Sequence, residues 1–268
     1  MPSAAATHQT WEVIAVRHGR LLTTRGDFYL NYSGYGQPDG PLELAYWIWI
    51  LRSGSRTIVV DTGYSSDGAQ RRGREVLIPP SEALEALGIS PDSDVDLVVT
   101  HAHYDHIGNL DLFPSQPVYL HPAETAFWLG PDSCHSEFQA VVDDADLARL
   151  RQVAESDRVV WVDAPREIAP GVTVVPFVGH TPGQLVVVIE TAAGRVVLSS
   201  DACHLTEELE ADMPFKHNTD LIGLFRGLAK LREWQGQGAI VVPGHEPSVL
   251  GNFPPVEGAL AGHAVRIG

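Results

Sequence analysis

The feature that most constrains this chain is the run THAHYDH at residues 100–106, which directly follows an apolar stretch. Four side chains able to bind a metal fall within six residues, at the predicted end of a buried strand. A strand end followed by a tight loop can turn alternate residues toward one point, so His101 and His103 should converge on one ion. Asp105 and His106 are adjacent and diverge. The run therefore predicts two metal ions about 3.5–4 Å apart that share a water or hydroxide.

The types of ligand in this run restrict the metal. Three imidazoles and one carboxylate suit zinc, manganese, iron or cobalt, and do not suit calcium. The alternative is a polar loop whose histidines cap the following helix, because Asp105 would lie near the N-terminus of that helix. This alternative explains a single histidine better than it explains the whole H-x-H-x-D-H pattern. A metal site is the prediction.

Further residues of ligand type occur at other predicted strand ends. His180, Asp201 and His245 each follow an apolar stretch and precede a turn or helix. Asp61 also ends a predicted strand, where it is either a turn residue or the partner that orients a ligand histidine; the second role is favoured. His121 ends a strand as well, but no ligand spacing supports it, and we assign it a structural role.

The order of predicted elements indicates the architecture. Strands are predicted near the N-terminus at residues 11–17 and 27–32, a long helix at 136–154, and a strand-rich second half with a helix at 218–234. Because each candidate ligand follows a strand, the ligands should gather on one rim of packed sheets. No linker of Pro, Gly and Ser divides the chain. We predict a single domain over residues 1–268.

Composition excludes several classes of function. With 44% hydrophobic and 19% charged residues, the 268-residue chain is typical of a globular protein with a large core. A net charge of −16 argues against nucleic acid and against an anionic membrane surface, so a small-molecule substrate is expected. Two cysteines do not form a disulfide framework. Residues 1–10 show no signal peptide and no apolar run has transmembrane length, so the cytoplasm is the expected location.

The motifs together resemble the metallo-β-lactamase superfamily. The resemblance spans nearly the whole chain and includes the strand ends at residues 61–63 and 200–201, the turn GHTPG at 179–183 and the PGH at 243–245. It implies an α/β fold, a four-layer αβ/βα sandwich with a dinuclear site at its edge. It also implies two divalent metal ions, with zinc expected first and manganese, iron or cobalt as alternatives.

The resemblance implies which residues bind each metal. The first metal would be held by His101, His103 and His180, and the second by Asp105, His106 and His245, with Asp201 bridging the two. A bridging carboxylate reduces the repulsion between two dications, and the shared water becomes hydroxide near neutral pH.

Within the superfamily, the chain is most similar to the N-acyl-homoserine-lactonase-like group. This resemblance implies opening of a lactone ring by a metal-bridging hydroxide, with Asp105 passing a proton to the leaving alkoxide. Lactonases of this group have a tyrosine three residues after the bridging aspartate, where this chain has His204. A neutral imidazole can donate one hydrogen bond, so His204 is predicted to stabilise the oxyanion or the leaving group. Class B1 β-lactamases have a cysteine in place of Asp201, which disfavours that activity.

Several alternatives stay open at this point. Thioesters and amides or lactams would be attacked in the same way, a mononuclear-iron persulfide dioxygenase is a second class of enzyme, and a metal-binding regulator is a third. A homodimer is compatible with the sequence. The apolar and aromatic residues nearest the predicted site are candidates for substrate contact: Phe28, Tyr29, Tyr32, Tyr35, Met213, Phe215 and His217.

Overall fold

Two β-sheets form the centre of the molecule in the computed structural model, which describes residues 10–268. The strands are β1 (Glu12–Thr24), β2 (Pro41–Ser53), β3 (Arg56–Val60), β4 (Glu75–Val76), β5 (Asp96–Val98), β6 (Val118–Leu120), β7 (Val159–Trp161), β8 (Arg166–Ala169), β9 (Val172–Pro176), β10 (Leu185–Thr191), β11 (Gly194–Ser200), β12 (Ile240–Pro243) and β13 (Ala264–Ile267). The α-helices are α1 (Arg25–Phe28), α2 (Ser66–Arg72), α3 (Pro80–Ala86), α4 (Tyr104–Ile107), α5 (Pro122–Trp128), α6 (Ser136–Gln139), α7 (Asp144–Ala154), α8 (Thr206–Ala211), α9 (Leu221–Gly236) and α10 (Val249–Asn252). Short 3-10 helices cover Tyr32–Tyr35, Leu110–Leu112, Pro131–Cys134 and Gly258–Leu260.

The strand order brings the predicted ligand segments to one edge. The first sheet has the order β13-β1-β2-β3-β5-β6-β7, with β4 on β1, and its strands β3, β5, β6 and β7 are parallel. The second sheet has the order β12-β11-β10-β9-β8, and β11 and β12 are parallel. Parallel neighbours end at the same edge of a sheet. The segments after β3 and β5, and those after β11 and β12, therefore emerge side by side.

The main core lies between the two sheets. Strand β2 shows why, because its residues alternate between two clusters: Trp47 and Trp49 face the second sheet, whereas Ile48 and Ile50 face the opposite side. On that opposite side the first sheet packs against residues of α3, α5 and α7. The far face of the second sheet packs against residues of α8 and α9. The layers are thus helix, sheet, sheet, helix, and the predicted four-layer α/β sandwich is confirmed.

Two predicted elements differ from the structure. The predicted strand at residues 27–32 is wrong, because Thr24 caps helix α1 by accepting a hydrogen bond from the backbone N–H of Asp27. The predicted helix at 136–154 is broken into α6 and α7. The backbone between them serves the predicted metal site, since the carbonyl of Val141 accepts a hydrogen bond from the N–H of Tyr104 at 3.0 Å. A local cap thus explains the first difference, and a tertiary contact that overrides local helical preference explains the second.

The predicted cellular location rests on two features, the N-terminal segment and the apolar character of the helices. Residues 1–9, which include most of the segment predicted to lack a signal peptide, lie outside the described residues. Within residues 10–268, no helix combines the length and the apolar character needed to cross a membrane.

A close backbone contact packs the histidine run against the loop after β3. The N–H of Gly108 donates to the carbonyl of Gly63 at 2.9 Å. A Cβ atom on Gly108 would lie 2.5 Å from the nitrogen of Ser65 and 2.8 Å from the Cα of Tyr64. Only a residue without a side chain allows this approach, which fixes the position of the run relative to the first sheet.

We predict that Gly108→Ala lowers the free energy of unfolding by about 1–3 kcal/mol, because the added methyl group must displace backbone atoms. Urea denaturation at equilibrium measures the change. Gly236→Ala is the matched control, since a Cβ there meets nothing within 4 Å. This control lies at the end of α9 and should be unchanged or more stable by up to about 1 kcal/mol. Equal stability of the two variants would contradict the account.

Candidate metal centre

The seven predicted ligands meet at one point of the structure. They form two groups, and within each group the ligand atoms lie within 4.8 Å of one another. All seven side chains are buried. The first group is His101, His103, His180 and Asp201, and the second is Asp105, His106 and His245. Segments after β5, β9, β11 and β12 supply them, so both sheets contribute.

The carboxylate of Asp201 lies between the two groups. Its Oδ2 is 3.4 Å from Nε2 of His180 and 3.7 Å from Nε2 of His101. Its Oδ1 is 3.4 Å from Nε2 of His106 and 3.1 Å from Nε2 of His245. Oδ1 thus faces the second group, whereas Oδ2 faces the first group and also lies 3.3 Å from Nε2 of His245. The carboxylate is therefore placed between the two groups, as a bridging carboxylate would be.

The buried polar atoms at this point fit a metal. Among the described residues, Nε2 of His101, Nε2 of His106 and Oδ1 of Asp201 are buried without a hydrogen-bond partner. An unsatisfied buried polar group costs about 1–3 kcal/mol, and such groups are rare in folded proteins. Cations at the centre would satisfy all three. Imidazole and carboxylate donors in this number suit zinc and related divalent ions.

The outer nitrogens of the histidines are held by neighbouring groups. Nδ1 of His106 lies 2.8 Å from Oδ2 of Asp61, and Nδ1 of His245 lies 2.9 Å from the carbonyl oxygen of Ala45. Such contacts fix the tautomer and leave Nε2 free to bind a metal. Asp61 therefore lies where the sequence placed it, as the partner of a ligand histidine. His121, assigned a structural role, accepts a hydrogen bond from the N–H of Ala123 at the start of α5.

Burial and charge give the histidines different proton affinities. Burial lowers the pKa of His101 and of His103 well below the usual value, and lowers that of His180 to about 3. These rings are neutral near pH 7 and present lone pairs. Burial also acts on His106, but the carboxylates around it, above all Asp201, raise its pKa well above the usual value.

Sequence reasoning missed Glu124, which braces the two loops of the first group. Its Oε1 accepts hydrogen bonds from the N–H of Ala102 at 2.8 Å and from Nε1 of Trp128 at 2.6 Å. Its Oε2 accepts from Oγ1 of Thr181 at 2.8 Å and from the N–H of Gly183 at 2.9 Å. The side chain is fully buried on α5, and nothing in its local sequence distinguishes it from a surface glutamate.

Thr100 connects the carboxylate of Asp61, which orients His106, with the second sheet. Its Oγ1 lies 2.8 Å from Oδ2 of Asp61 and 2.8 Å from Oγ of Ser200. Asp61 and Ser200 have positive φ angles of 62° and 46°, a backbone conformation that is rare for residues other than glycine. Strained backbone of this kind persists where the surrounding contacts hold it, often at functional sites.

A cavity of about 380 Å³ opens beside the two groups. Asp105, Asp201, His204 and His245 form one wall of it. Among the predicted candidates for substrate contact, Phe28, Phe215 and His217 line the cavity, whereas Tyr29, Tyr32, Tyr35 and Met213 do not. Other residues that line the cavity were not among the predicted candidates: Tyr46, Arg72 and Arg74 come from other segments of the chain, and Tyr104 lies within the histidine run.

His204 is buried in the same wall. Its Nε2 lies 3.2 Å from Oδ2 of Asp201, and its Nδ1 lies 3.2 Å from Oε2 of Glu208. Burial disfavours the charged ring, but these two carboxylates raise the pKa of His204 to about 10. With this pKa, and without a metal ion, the ring carries a proton on both nitrogens near neutral pH.

We predict that Glu124→Gln lowers the affinity for metal about 10–100-fold and the free energy of unfolding by about 1–3 kcal/mol. The reason is that the glutamine NH₂ group would face N–H donors, which it cannot accept from. Competition with a chelator and urea denaturation measure the two effects. The control is Glu155→Gln on the exposed end of α7. An unchanged metal affinity in Glu124→Gln would contradict the bracing role.

Comparisons with known proteins agree with this geometry. The family model of the metallo-beta-lactamase superfamily matches residues 42–245. An N-acyl homoserine lactonase from a Bacillus species is 28% identical over 194 residues, which cover 66% of this chain and 72% of the relative. The N-acyl homoserine lactonase AiiB of Agrobacterium fabrum is 29% identical over 205 residues, with the same coverage.

Solved structures show the same fold. A quorum-quenching N-acyl homoserine lactone lactonase has a TM-score of 0.73 at 21% identity and covers 88% of this chain and 92% of its own. AidC, a dizinc quorum-quenching lactonase, has a TM-score of 0.71 at 18% identity, covering 96% of this chain and 94% of its own. With the family model matching most of the sequence, the chain belongs to the metallo-beta-lactamase superfamily.

Proposed function

We propose that this protein is a dinuclear metal-dependent hydrolase that opens a lactone ring, either an N-acyl homoserine lactone or another small cyclic ester. The observation that carries the proposal is the shared carboxylate of Asp201, which lies between two groups of buried ligands at the wall of an open cavity. The curated relatives named as N-acyl homoserine lactonases support this substrate class.

The residues at the centre would hold two divalent ions, with zinc as the first candidate. His101, His103 and His180 would bind one ion, and Asp105, His106 and His245 the other, with Asp201 between them. A pair of such ions polarises a carbonyl group and lowers the pKa of a shared water, so that hydroxide is available near neutral pH.

The cavity also has an apolar part, which suits an acyl chain or an apolar ring. Its apolar members come from β1, α1, β2 and two loops: Leu21, Phe28, Leu44, Val141 and Phe215. Ligand pockets typically combine such a wall with a few polar groups that fix the orientation of the substrate. Here the polar groups of the ligand wall would set the position of the ester carbonyl, and the apolar wall would select the substituent.

Asp105 is the residue best placed to move a proton. Its Oδ2 is 3.8 Å from Nε2 of His106 and 3.7 Å from Nε2 of His245, and its side chain lines the cavity. A carboxylate at this position can take the proton released on attack and deliver it to the alkoxide that leaves the ring. His204 lies on the same wall, and its Nε2 faces the reacting centre.

The proposal is tested by proton release in weak buffer, with metal-loaded protein of measured metal content. The panel contains short-chain and long-chain N-acyl homoserine lactones, other cyclic esters, thioesters and lactams. Acidification with the cyclic esters supports the proposal. If only thioesters or lactams are turned over, the protein is a hydrolase of those substrates and not a lactonase. If the protein contains a single iron and consumes oxygen, it is an oxygen-using enzyme and not a hydrolase.

We predict that Asp105→Asn lowers kcat by at least about 100-fold, because the amide neither accepts the proton nor holds the second ion as well as the carboxylate. Proton release and metal content are measured together, so that loss of metal and loss of proton transfer are distinguished. The control is Asp111→Asn, whose side chain is 62% exposed. Turnover equal to the natural protein with both metals bound would remove Asp105 from the mechanism.

A further inference from the structure

His204 is buried beside two of the proposed metal ligands, Asp201 and His245. Its ring is 1% exposed, and among the described residues its Nε2 has no hydrogen-bond partner although it lies 3.2 Å from Oδ2 of Asp201. The ring is stacked on that of His245, with centroids 5.5 Å apart and planes at 18°. The ligand atoms of these three side chains lie within 4.8 Å of one another.

The two nitrogens of His204 are arranged as in the proposed ligands. In His106, Nδ1 lies on the carboxylate of Asp61 and Nε2 is buried without a partner. In His204, Nδ1 lies on the carboxylate of Glu208, and Nε2 is again buried without a partner. Histidines that bind a metal through one nitrogen usually donate the other N–H to a carboxylate or a carbonyl.

Glu208 determines which nitrogen of His204 carries the proton. The carboxylate is buried, and its Oε2 accepts hydrogen bonds from the backbone N–H groups of His204 and Leu205. Its Oε1 accepts from the N–H of Phe215 at 2.7 Å. Because these neighbours are all donors, the side chain acts as an acceptor toward Nδ1 as well. When a metal ion displaces the proton on Nε2, the ring is neutral with its remaining proton on Nδ1, and Nε2 then binds the cation and cannot donate to a substrate oxygen.

The spacing of the three side chains is also compatible with a common ion. Two donors at tetrahedral positions about 2.0–2.1 Å from zinc are separated by about 3.3 Å. Nε2 of His204 is 3.2 Å from Oδ2 of Asp201, and Nε2 of His245 is 3.3 Å from the same oxygen.

We infer that His204 is an eighth metal-binding residue of this centre, coordinating through Nε2 together with Asp201 and His245, and that Glu208 orients it. The inference rests on the proposed metal centre and does not depend on the lactone as substrate. The sequence predicted that His204 donates a hydrogen bond to the oxyanion or the leaving group. The inference assigns it the role of a metal ligand instead. The centre would then hold its metals more tightly than the seven other ligands alone.

The first test compares metal binding in His204→Gln with that in the natural protein. Competition with a chelator should show that one of the two metals binds at least about 10-fold more weakly, and the visible spectrum of the cobalt-loaded protein should change. The control is His135→Gln, because His135 is exposed and lies outside the three groups. Unchanged affinities and spectrum in His204→Gln would overturn the inference, and a fall in kcat alone would restore the role of donor.

A second measurement uses the natural protein and does not depend on the folding of a variant. In the cobalt-loaded protein, each ligating imidazole that keeps an N–H gives a proton resonance shifted by the metal. The seven-residue set contains five histidines, and the inference adds a sixth. Six shifted resonances support it, of which one is lost in His204→Gln; five resonances overturn it. Absence of lactone turnover in the same sample would count against the proposed function only.

Discussion

The structure of this site depends on one interaction, the sharing of the buried Asp201 carboxylate among imidazoles from both halves of the fold. Burial alone would raise the pKa of Asp201, but the surrounding histidines, above all His245, hold it well below its usual value. Between them, its two oxygens lie next to side chains of both groups, so a single carboxylate aligns both. A charge in this position is stable only with cationic partners, which the two proposed metal ions would supply.

Two buried glutamates hold the histidines around that carboxylate. Glu124 joins the loop that contains His101 and His103 to the loop that contains His180, and Glu208 fixes the ring of His204. Each side chain accepts several hydrogen bonds, so neither is easily replaced by an amide or an apolar residue. The geometry of the centre is therefore carried by residues that would not touch the substrate.

The sequence predicted that the candidate ligands meet, because the segments that contain them follow simple rules. An H-x-H-x-D-H run after an apolar strand, with isolated histidine and aspartate at later strand ends, brings metal-binding groups to one edge of packed sheets. The helix at 136–154 was predicted wrongly because its break serves a contact with Tyr104. Glu124 could not be found, because its partners Ala102, Thr181 and Gly183 come from distant segments that local patterns do not describe.

The central claim is that two metal ions bind on either side of Asp201. Anomalous diffraction from crystals of the zinc-loaded protein, collected on both sides of the zinc absorption edge, tests it most directly. The account predicts two zinc peaks about 3.5–4 Å apart, each next to one oxygen of that carboxylate. A single peak, or two peaks with Asp201 bound to neither, would contradict it.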